Sequence, residues 1–215
     1  MKTIFIAFTL LIIGCSFQND SHNFTQEEIE YFAEIALGAE FGDETPVIKK
    51  WTDDVRIKVN GDPTEKDLHT TNKIIDDLNE LISGIKIKLV DKNGNLSITF
   101  SSESDFTLID PNYVPTNYGF FWALWHDDNF VIYNASILIS SVDITQKERS
   151  HLICEELAQS LGLMNDSNKY EDSMFYQEWT DIADFSEIDR AVIKLLYLNN
   201  VKPGLSKEQV LKMLN

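Results

Sequence analysis

The residues with the clearest chemical potential lie close together on one predicted helix and in the loop after it. Two adjacent acids, Glu155 and Glu156, are followed one turn later by Gln159. Because a helix advances by about 100° per residue, Glu155 and Gln159 share one face. The following loop adds Asn165 and Asp166. These side chains suit acid–base chemistry, an oxygen-ligated cation or a metal-free hydrogen-bond network, and a polar helix face can also simply meet solvent.

The spacing of these residues resembles the zinc-binding motif of the metzincin peptidases. That motif reads H-E-x-x-H-x-x-G-x-x-H, whereas residues 155–166 read E-E-L-A-Q-S-L-G-L-M-N-D. The resemblance assigns the three ligand positions to Glu155, Gln159 and Asn165. It gives Glu156 the place of the general base and makes Asp166 a replacement ligand.

Two downstream segments extend the resemblance. Residues 173–176, S-M-F-Y, are similar to the metzincin Met-turn, which implies that Met174 lies beneath the site. Residues 185–197 are similar to the closing helix of matrix metalloproteases, which follows L-S-x-x-D-x-x-x-I-x-x-L-Y. The pattern E-E-x-x-Q-x-x-G-x-x-N-D, with D-S-x-F downstream, is more similar still to a family of uncharacterised bacterial metzincin-like domains of unknown function. These resemblances imply a zincin-like fold built around the site helix.

Hydrophobic periodicity and turn residues predict an α+β fold. Residues 24–215 are expected to form a single metzincin-like domain, in which a mixed, mainly N-terminal sheet packs on the site helix and the C-terminal part is helical. The predicted helices cover residues 25–38, 64–83, 145–161, 186–198 and 206–214. The predicted strands cover residues 51–59, 85–90, 96–100 and 130–140, the middle two being joined by a hairpin-type turn. The stretch 101–128 is expected to be loop-rich, with an aromatic cluster.

The side chains at the ligand positions argue against a conventional zinc site. Zinc favours histidine nitrogen and cysteine thiolate and also accepts carboxylate, whereas the neutral amides of Gln159 and Asn165 are poor ligands. Without tightly bound zinc, Glu156 has no activated water to deprotonate, so ordinary zinc-protease chemistry is not expected. A weakly bound Ca²⁺ or Mg²⁺ ion suits such an oxygen-rich set better. The sequence favours a metal-free network, with Glu155 bonded to Gln159 and Asn165 closing the turn.

Two histidines and one cysteine are further candidates. His151 precedes Glu155 by one helical turn, so the two could bind a transition metal or a ligand in the cleft. His126 lies in a predicted loop among acidic residues and could reach the edge of the same cleft. Single histidines are more often surface or core residues. Cys154 falls on the apolar side of the helix, which favours a core role over a nucleophilic one.

The N-terminus has the features of a secretory leader. The apolar stretch 4–13 is too short to span a bilayer. The segment ending at Cys15 resembles the bacterial lipoprotein cleavage box, in which the cysteine becomes the lipidated first residue. We therefore expect a signal peptide over residues 1–14, a lipidated tether over residues 15–23 and anchoring in the bacterial cell envelope. Ser16 after the cysteine indicates the outer membrane if the cell has two membranes.

The overall charge excludes one class of partner. The formal net charge of −17 repels phosphate backbones. No stretch combines clustered Lys or Arg with aromatic residues, which is the usual signature of a nucleic-acid-binding surface. The expected partners are therefore a membrane, through the lipid on Cys15, and an extended peptide or protein.

Three functions are compatible with these observations. The first, which the sequence favours, is a lipid-anchored protein that retains a peptidase-like cleft without catalysis. The second is an active metallopeptidase that uses the unusual ligands, including Asn165 or Asp166, with Glu156 as the general base. The third is a different hydrolase, in which Glu156 works with Asp166 or Asp172 as a carboxylate pair.

Overall fold

The structure is a computed structural model that describes residues 24–38, 46–115 and 117–214. The predicted signal peptide, Cys15 and the tether lie outside these residues. Within the described part, no helix combines the length and the apolar character needed to cross a membrane.

Helices and strands alternate through the first two-thirds of the described chain, and helices dominate the last third. The helices are α1 (Gln26–Ala36), α2 (Glu65–Leu81), α3 (Glu103–Ile109), α4 (Gln146–Gln159), α5 (Glu187–Leu196) and α6 (Lys207–Leu214). The strands are β1 (Lys50–Trp51), β2 (Val55–Gly61), β3 (Ile87–Leu89), β4 (Leu96–Ser101), β5 (Gly119–Trp125) and β6 (Val131–Ser140). This architecture confirms the predicted α+β class.

The described strands form one mixed sheet, in which β5 alone is antiparallel. The parallel strands follow the order β1-β6-β4-β2-β3, with Ile98 of β4 opposite Ile137 of β6. β5 runs antiparallel along the other edge of β6, where Phe121 pairs with Ile137. Since β6 is its only strand partner among the described residues, β5 is an edge strand beside the site helix α4.

The two faces of the sheet are packed differently. In β4, the side chains of Leu96, Ile98 and Phe100 are buried in the main core, and the intervening side chains are half-buried. Helices α1, α2, α4 and α5 contribute to this core. On the opposite face of β5 and β6, α3 contributes to a smaller cluster of Phe106, Tyr113, Phe120 and Leu138. Burial of this apolar area on both faces is the main source of stability.

Local signals place the helices where periodicity predicted them. Four helices begin with a capping box, in which a threonine or serine and an acid three residues later satisfy each other's backbone amides. The boxes pair Thr25 with Glu28, Thr64 with Asp67, Thr145 with Glu148, and Ser186 with Asp189. The predicted helices at 25–38, 64–83, 145–161, 186–198 and 206–214 are confirmed within a few residues at their ends.

Three predictions about the sheet were wrong in detail. β3 and β4 do not form a hairpin, because both are parallel to β2 and lie on its opposite edges. The predicted strand 51–59 is interrupted at residues 52–54, which separate β1 from β2. The loop-rich stretch contains α3 and β5, and β5 shows no alternation of polar and apolar residues because both of its faces are packed.

Candidate active-site cleft

A cleft of about 280 Å³ lies between the start of β5, the helix α4 and the loop that follows α4. β5 contributes Gly119 and Phe121, and the loop contributes Asp166 and Trp179. The helix contributes Glu155, Glu156 and Gln159. The acids and the amide that the sequence places on one helix therefore meet an edge strand across an open space.

Helix α4 is buried on nearly all sides. Its apolar residues Ile153, Cys154 and Leu157 have no exposed surface, in agreement with the predicted core stripe. The polar residues on the other side are also buried: Glu156 is 6% and Gln159 is 3% exposed. This side of the helix therefore faces the cleft and the loop above it, and it does not face open solvent.

Gln159 is joined to the loop through Asp166. The Nε2 atom of Gln159 donates a hydrogen bond of 2.7 Å to Oδ1 of Asp166. The Oε1 atom of Gln159 has no hydrogen-bond partner among the described residues, although the side chain is almost fully enclosed. Asp166 is thus the loop residue that reaches the cleft.

Asn165 points away from the cleft and toward α1. Its Nδ2 donates to the carbonyl oxygens of Glu34 at 3.2 Å and of Asp166 at 2.9 Å. Its backbone amide donates to the carbonyl of Ile35 at 3.2 Å. The side chain also lies so close to Gly38 that a Cβ atom there would be 2.6 Å from its Cγ. Asn165 therefore attaches the loop to the end of α1.

Glu155 is paired with His151 on the preceding turn. Nε2 of His151 lies 3.3 Å from Oε2 of Glu155, and Nδ1 lies 2.6 Å from the carbonyl oxygen of Ile182. Because both partners are acceptors, the protonated ring, which carries an N–H group on each nitrogen, fits them best. Burial lowers the pKa of His151, but its hydrogen bond to Glu155 and the carboxylate charge outweigh burial, so the pKa is raised overall.

Glu156 lies against the first residue of β5. A Cβ atom at Gly119 would be 2.5 Å from Oε1 of Glu156 and 2.8 Å from Cδ2 of Leu152. Only glycine lets the strand approach α4 this closely without displacing a side chain. The carboxyl group of Glu156 is consequently next to the backbone of the edge strand.

The backbone of β5 has polar groups on its free edge. The amide of Ser140 in β6 donates to the carbonyl of Tyr118 at 2.8 Å, which sets the alternation of hydrogen bonds along the pair. Even-numbered residues of β5 therefore bond to β6, and the N–H and C=O groups of Gly119, Phe121 and Ala123 point away from it. Among the described residues no other strand pairs with this edge.

Met174 lies in the main core, on the turn that the Met-turn resemblance identifies. Its side chain is fully buried, and its amide donates to Oδ2 of Asp189 at 3.0 Å. Asp189 also accepts from Ser173, whose Oγ in turn accepts from the hydroxyl of Tyr31 at 2.8 Å. This buried network fixes the turn between α1 and α5.

The chain matches one protein family over almost the whole described part. Residues 25–215 match the family described as "Protein of unknown function (DUF2927)". The chain belongs to this family. A search of curated proteins found no match.

Solved structures that are similar to the DUF2927 chain include two of myroilysin. A crystal structure of myroilysin is 10% identical, with a TM-score of 0.45, and the match covers 69% of this chain and 86% of that one. A second myroilysin structure is 11% identical, with a TM-score of 0.43, and the match covers 71% and 83% of the two chains.

The site of the DUF2927 chain does not fit a zinc ion. Glu155 is engaged by His151, the Nε2 side of Gln159 faces Asp166, and Asn165 is turned toward α1. Within the described residues, no three His, Cys, Asp or Glu side chains are grouped so that they could hold a metal. The spacing of the metzincin pattern is present in the sequence, but the side chains do not converge as three ligands.

Two of the other candidates lie outside the cleft. His126 stacks on Tyr133, with ring centroids 4.5 Å apart, and lines a different cavity of about 540 Å³ beyond the far end of β5. Cys154 is fully buried, its Sγ lies 3.5 Å from the carbonyl of Ala183, and burial raises the pKa of its thiol. A thiol in this environment is a core residue and not a nucleophile.

Several cleft residues were not identified from the sequence. Trp179 is 54% exposed and makes an edge contact with Tyr118, their ring centroids being 6.0 Å apart. Both aromatic residues line the cleft, as does Gly119. The run Y-G-F-F-W-A-L-W, interpreted as a strand, would have placed Tyr118 and Gly119 beside the helix, but no local signal indicates Trp179.

Proposed function

We propose that this protein is a lipid-anchored cell-envelope protein that binds extended peptide segments in the cleft along β5 and does not hydrolyse them. The observation that carries the proposal is the free edge of β5, whose outward backbone groups run beside a cleft of about 280 Å³. An extended peptide that pairs with such an edge gains main-chain hydrogen bonds, and neighbouring pockets read alternate side chains. The metzincin resemblance of residues 155–166 favours the same class of ligand.

The strand-pairing part of the proposal is tested by backbone methylation. Fluorescein-labelled extended heptapeptides of mixed sequence are titrated with the full chain in detergent, and binding is followed by anisotropy. For a peptide that binds, single N-methylation at successive positions should weaken binding at every second position only, because alternate amides face β5. Uniform effects along the peptide, or no binding by any heptapeptide, would contradict the proposal.

The absence of catalysis is part of the proposal because Asn165 is turned toward α1 and no group of three metal-binding acids, histidines or cysteines occurs among the described residues. Elemental analysis of the protein purified without added metal should find zinc well below one ion per chain. Casein and the heptapeptides should remain intact over long incubations. Stoichiometric zinc together with cleavage that is lost in Glu156→Gln would overturn the proposal.

An active peptidase is the second candidate, and one observation favours it. Glu156 lies directly against the edge strand, at 2.5 Å from the Cβ that Gly119 lacks, where a general base could meet a bound peptide. In this case the ion would be held by the unusual ligands among Glu155, Gln159 and Asp166. Metal-dependent cleavage, stopped by a chelator and restored by one particular divalent ion, would establish it.

The envelope location rests on the segment that ends at Cys15. Wild-type protein is expected to partition with the membrane and to carry acyl groups by mass spectrometry. Cys15→Ser should release the chain into the soluble fraction, since one lipid-modified residue supplies the anchor. Retention of Cys15→Ser in the membrane and an unmodified wild-type mass would contradict the anchoring.

A further inference from the structure

We infer that the cleft selects peptide segments that carry a positively charged side chain, lysine or arginine, and binds that side chain between α4 and Trp179. This inference rests on the proposed peptide-binding function and names the class of segment that the site takes. Four features of the cleft support this inference: its negative charge, its open hydrogen-bond acceptors, its aromatic rim and a spacing of acceptors that suits an organic cation better than a metal ion.

The charge of the cleft is negative. Three of its lining residues are acids, Glu155, Glu156 and Asp166. No lysine or arginine is among the described residues that line it. His151 supplies at most one positive charge next to Glu155, so the acids outnumber the cationic groups at the cleft. In a partly enclosed space this field attracts a cation more strongly than it would on open surface.

The floor of the cleft has acceptors that its own donors do not fill. Gln159 is 3% exposed, yet its Oε1 makes no hydrogen bond within the described part of the chain. Glu155 uses Oε2 for His151, and its Oε1 likewise has no partner there. An acceptor that is open to the cleft can take a charge-assisted hydrogen bond from a ligand that brings N–H donors. An ammonium or guanidinium group brings three or five such donors and no acceptor.

The rim of the cleft suits the stem and the charge of a basic side chain. The indole of Trp179 is 54% exposed and is held edge-on to Tyr118. An aromatic face attracts a cation through its quadrupole, and the apolar stem of lysine or arginine packs on the same ring. A neutral or acidic side chain gains neither the charge attraction nor the cation–π contact.

A bare divalent cation fits the cleft less well than an organic one. Calcium requires six to eight oxygen ligands and magnesium requires near-octahedral geometry. Within the described residues no three acidic or histidine side chains are close enough together to hold a metal. The acceptors are instead spread along the cleft. This spacing suits the N–H groups of a guanidinium or an ammonium at the end of a flexible side chain.

The test compares three labelled heptapeptides that differ only at the centre, with arginine, its neutral isostere citrulline, or glutamate in an alanine background. Each is titrated by anisotropy against the full chain in detergent, at low and at high salt. The arginine peptide should bind at least on the order of tenfold more tightly than the citrulline peptide, since a charged hydrogen bond is the stronger one. The advantage should shrink at high salt.

Two variants assign the effect to the cleft. Glu155→Gln keeps an acceptor for His151 but removes a charge, and it should reduce the preference for arginine over citrulline several-fold. Glu80→Gln makes the same change on the exposed surface of α2 and should leave the preference unaltered.

The outcomes separate this inference from the function on which it rests. Equal binding of the three peptides would overturn the inference and leave peptide binding standing. No binding by any peptide, including heptapeptides of mixed sequence, would overturn both. Displacement of the arginine peptide by micromolar calcium or zinc would show a metal site instead. A preference for arginine that is unchanged in Glu155→Gln would place basic recognition elsewhere and contradict the inference.

Discussion

Two polar clusters involve the loop after α4, one around Asp189 and one in the cleft, and they differ in how completely their hydrogen-bond acceptors are filled. In the first, buried Asp189 accepts from the hydroxyl of Ser173 at 2.6 Å and from the amide of Met174 at 3.0 Å. It also accepts from both the amide and the hydroxyl of Ser186, each at 2.9 Å. In the cleft, Glu155 and Gln159 each keep an acceptor without a partner among the described residues. Donors thus saturate the acceptors of Asp189, which supports the fold, whereas the cleft keeps acceptors that the proposed ligand can use.

The largest expected effect comes from converting the cleft cluster of Glu155, Gln159 and Asp166 into a metal site. The triple change Glu155→His, Gln159→His and Asp166→His should raise zinc affinity by several orders of magnitude, because three imidazoles replace two carboxylates and an amide around one space. Zinc titration with a competing chelator measures it. We expect no peptidase activity to follow, since catalysis also requires residues that orient the metal-bound histidines.

A matched triple with Asn165→His in place of Asp166→His tests the geometry. The metzincin pattern assigns the third ligand to position 165, whereas the side chain of Asn165 is held against α1. We expect this second triple to bind zinc much more weakly than the first. Equal affinity would show that the loop turns easily and that position 165 can face the cleft.

Substitutions in the cluster around Asp189 should change the stability of the protein and not ligand binding. Asp189→Ala removes the acceptor of three residues, so buried donors on Ser173, Met174 and Ser186 lose their partner. We expect the free energy of unfolding to fall by roughly 3 kcal/mol or more, measured by urea denaturation. Asp189→Asn keeps one acceptor and should cost less.

A surface substitution provides the control for this prediction. Glu80→Ala removes an exposed acid from α2 and should change the free energy of unfolding by no more than about 0.5 kcal/mol. If Asp189→Ala were as mild as this control, the saturated network would not be a source of stability, and the contrast between the clusters would fail.

The two clusters also differ in how far the sequence predicts them. Ser186 and Asp189 form a capping box, a local signal that placed α5 correctly. The cleft depends on contacts between distant segments: the hydrogen bond that turns Asn165 away joins it to Glu34, 131 positions earlier in the chain. No local pattern distinguishes Asn165 from Asp166 as the residue that reaches the cleft.

Burial on two faces explains the other differences between sequence and structure. In β5, Phe120 packs in the small cluster and Ala123 in the main core, so the alternation that marks a half-buried strand is absent. Because β5 was not predicted, the position of His126 away from the cleft could not be inferred, since His126 follows the last residue of that strand. The helices, each with one buried stripe and a local cap, were predictable from the sequence.

A smaller effect is expected where the edge strand meets the cleft. Gly119→Ala places a methyl group 2.5 Å from Oε1 of Glu156, which must move, although both neighbours of the new Cβ are the ends of flexible side chains. The chain should fold with a loss of less than about 1 kcal/mol, whereas binding of the arginine heptapeptide should weaken on the order of tenfold. Anisotropy and urea denaturation together separate the two effects.

Unchanged peptide binding in Gly119→Ala would mean that ligands do not reach the junction of Glu156 and β5. Ala123→Gly alters the same strand farther from α4 and serves as the matched control. It should lower stability by roughly 0.5–1 kcal/mol, as glycine does inside a strand, without the tenfold effect on binding.

The smallest expected effect is a pH dependence that distinguishes the two clusters by window. The pKa of His151 is raised by Glu155 despite burial, so the pair contributes fully to stability below the unfolded value of about 6.5. This contribution should be lost as pH rises through the raised folded pKa. Burial raises the pKa of Asp189 despite its hydrogen bonds. The contribution of Asp189 to stability is therefore fully present below the unfolded pKa of about 4 and is lost as pH rises above that value. Burial lowers the pKa of Lys50 to about 8, so Lys50 makes the protein more stable as pH rises above that value.

Urea midpoints measured in small steps between pH 3 and pH 8 should therefore decline in two separate windows. In His151→Gln, the decline near neutral pH should disappear while the acid one remains, because only the pair in the cleft has been removed. Asp189→Asn should do the reverse, provided that it folds. A neutral window that persists in His151→Gln would show that the imidazolium facing Glu155 and Ile182 is not the titrating group, and that the cleft carries a different charge from the one its geometry requires.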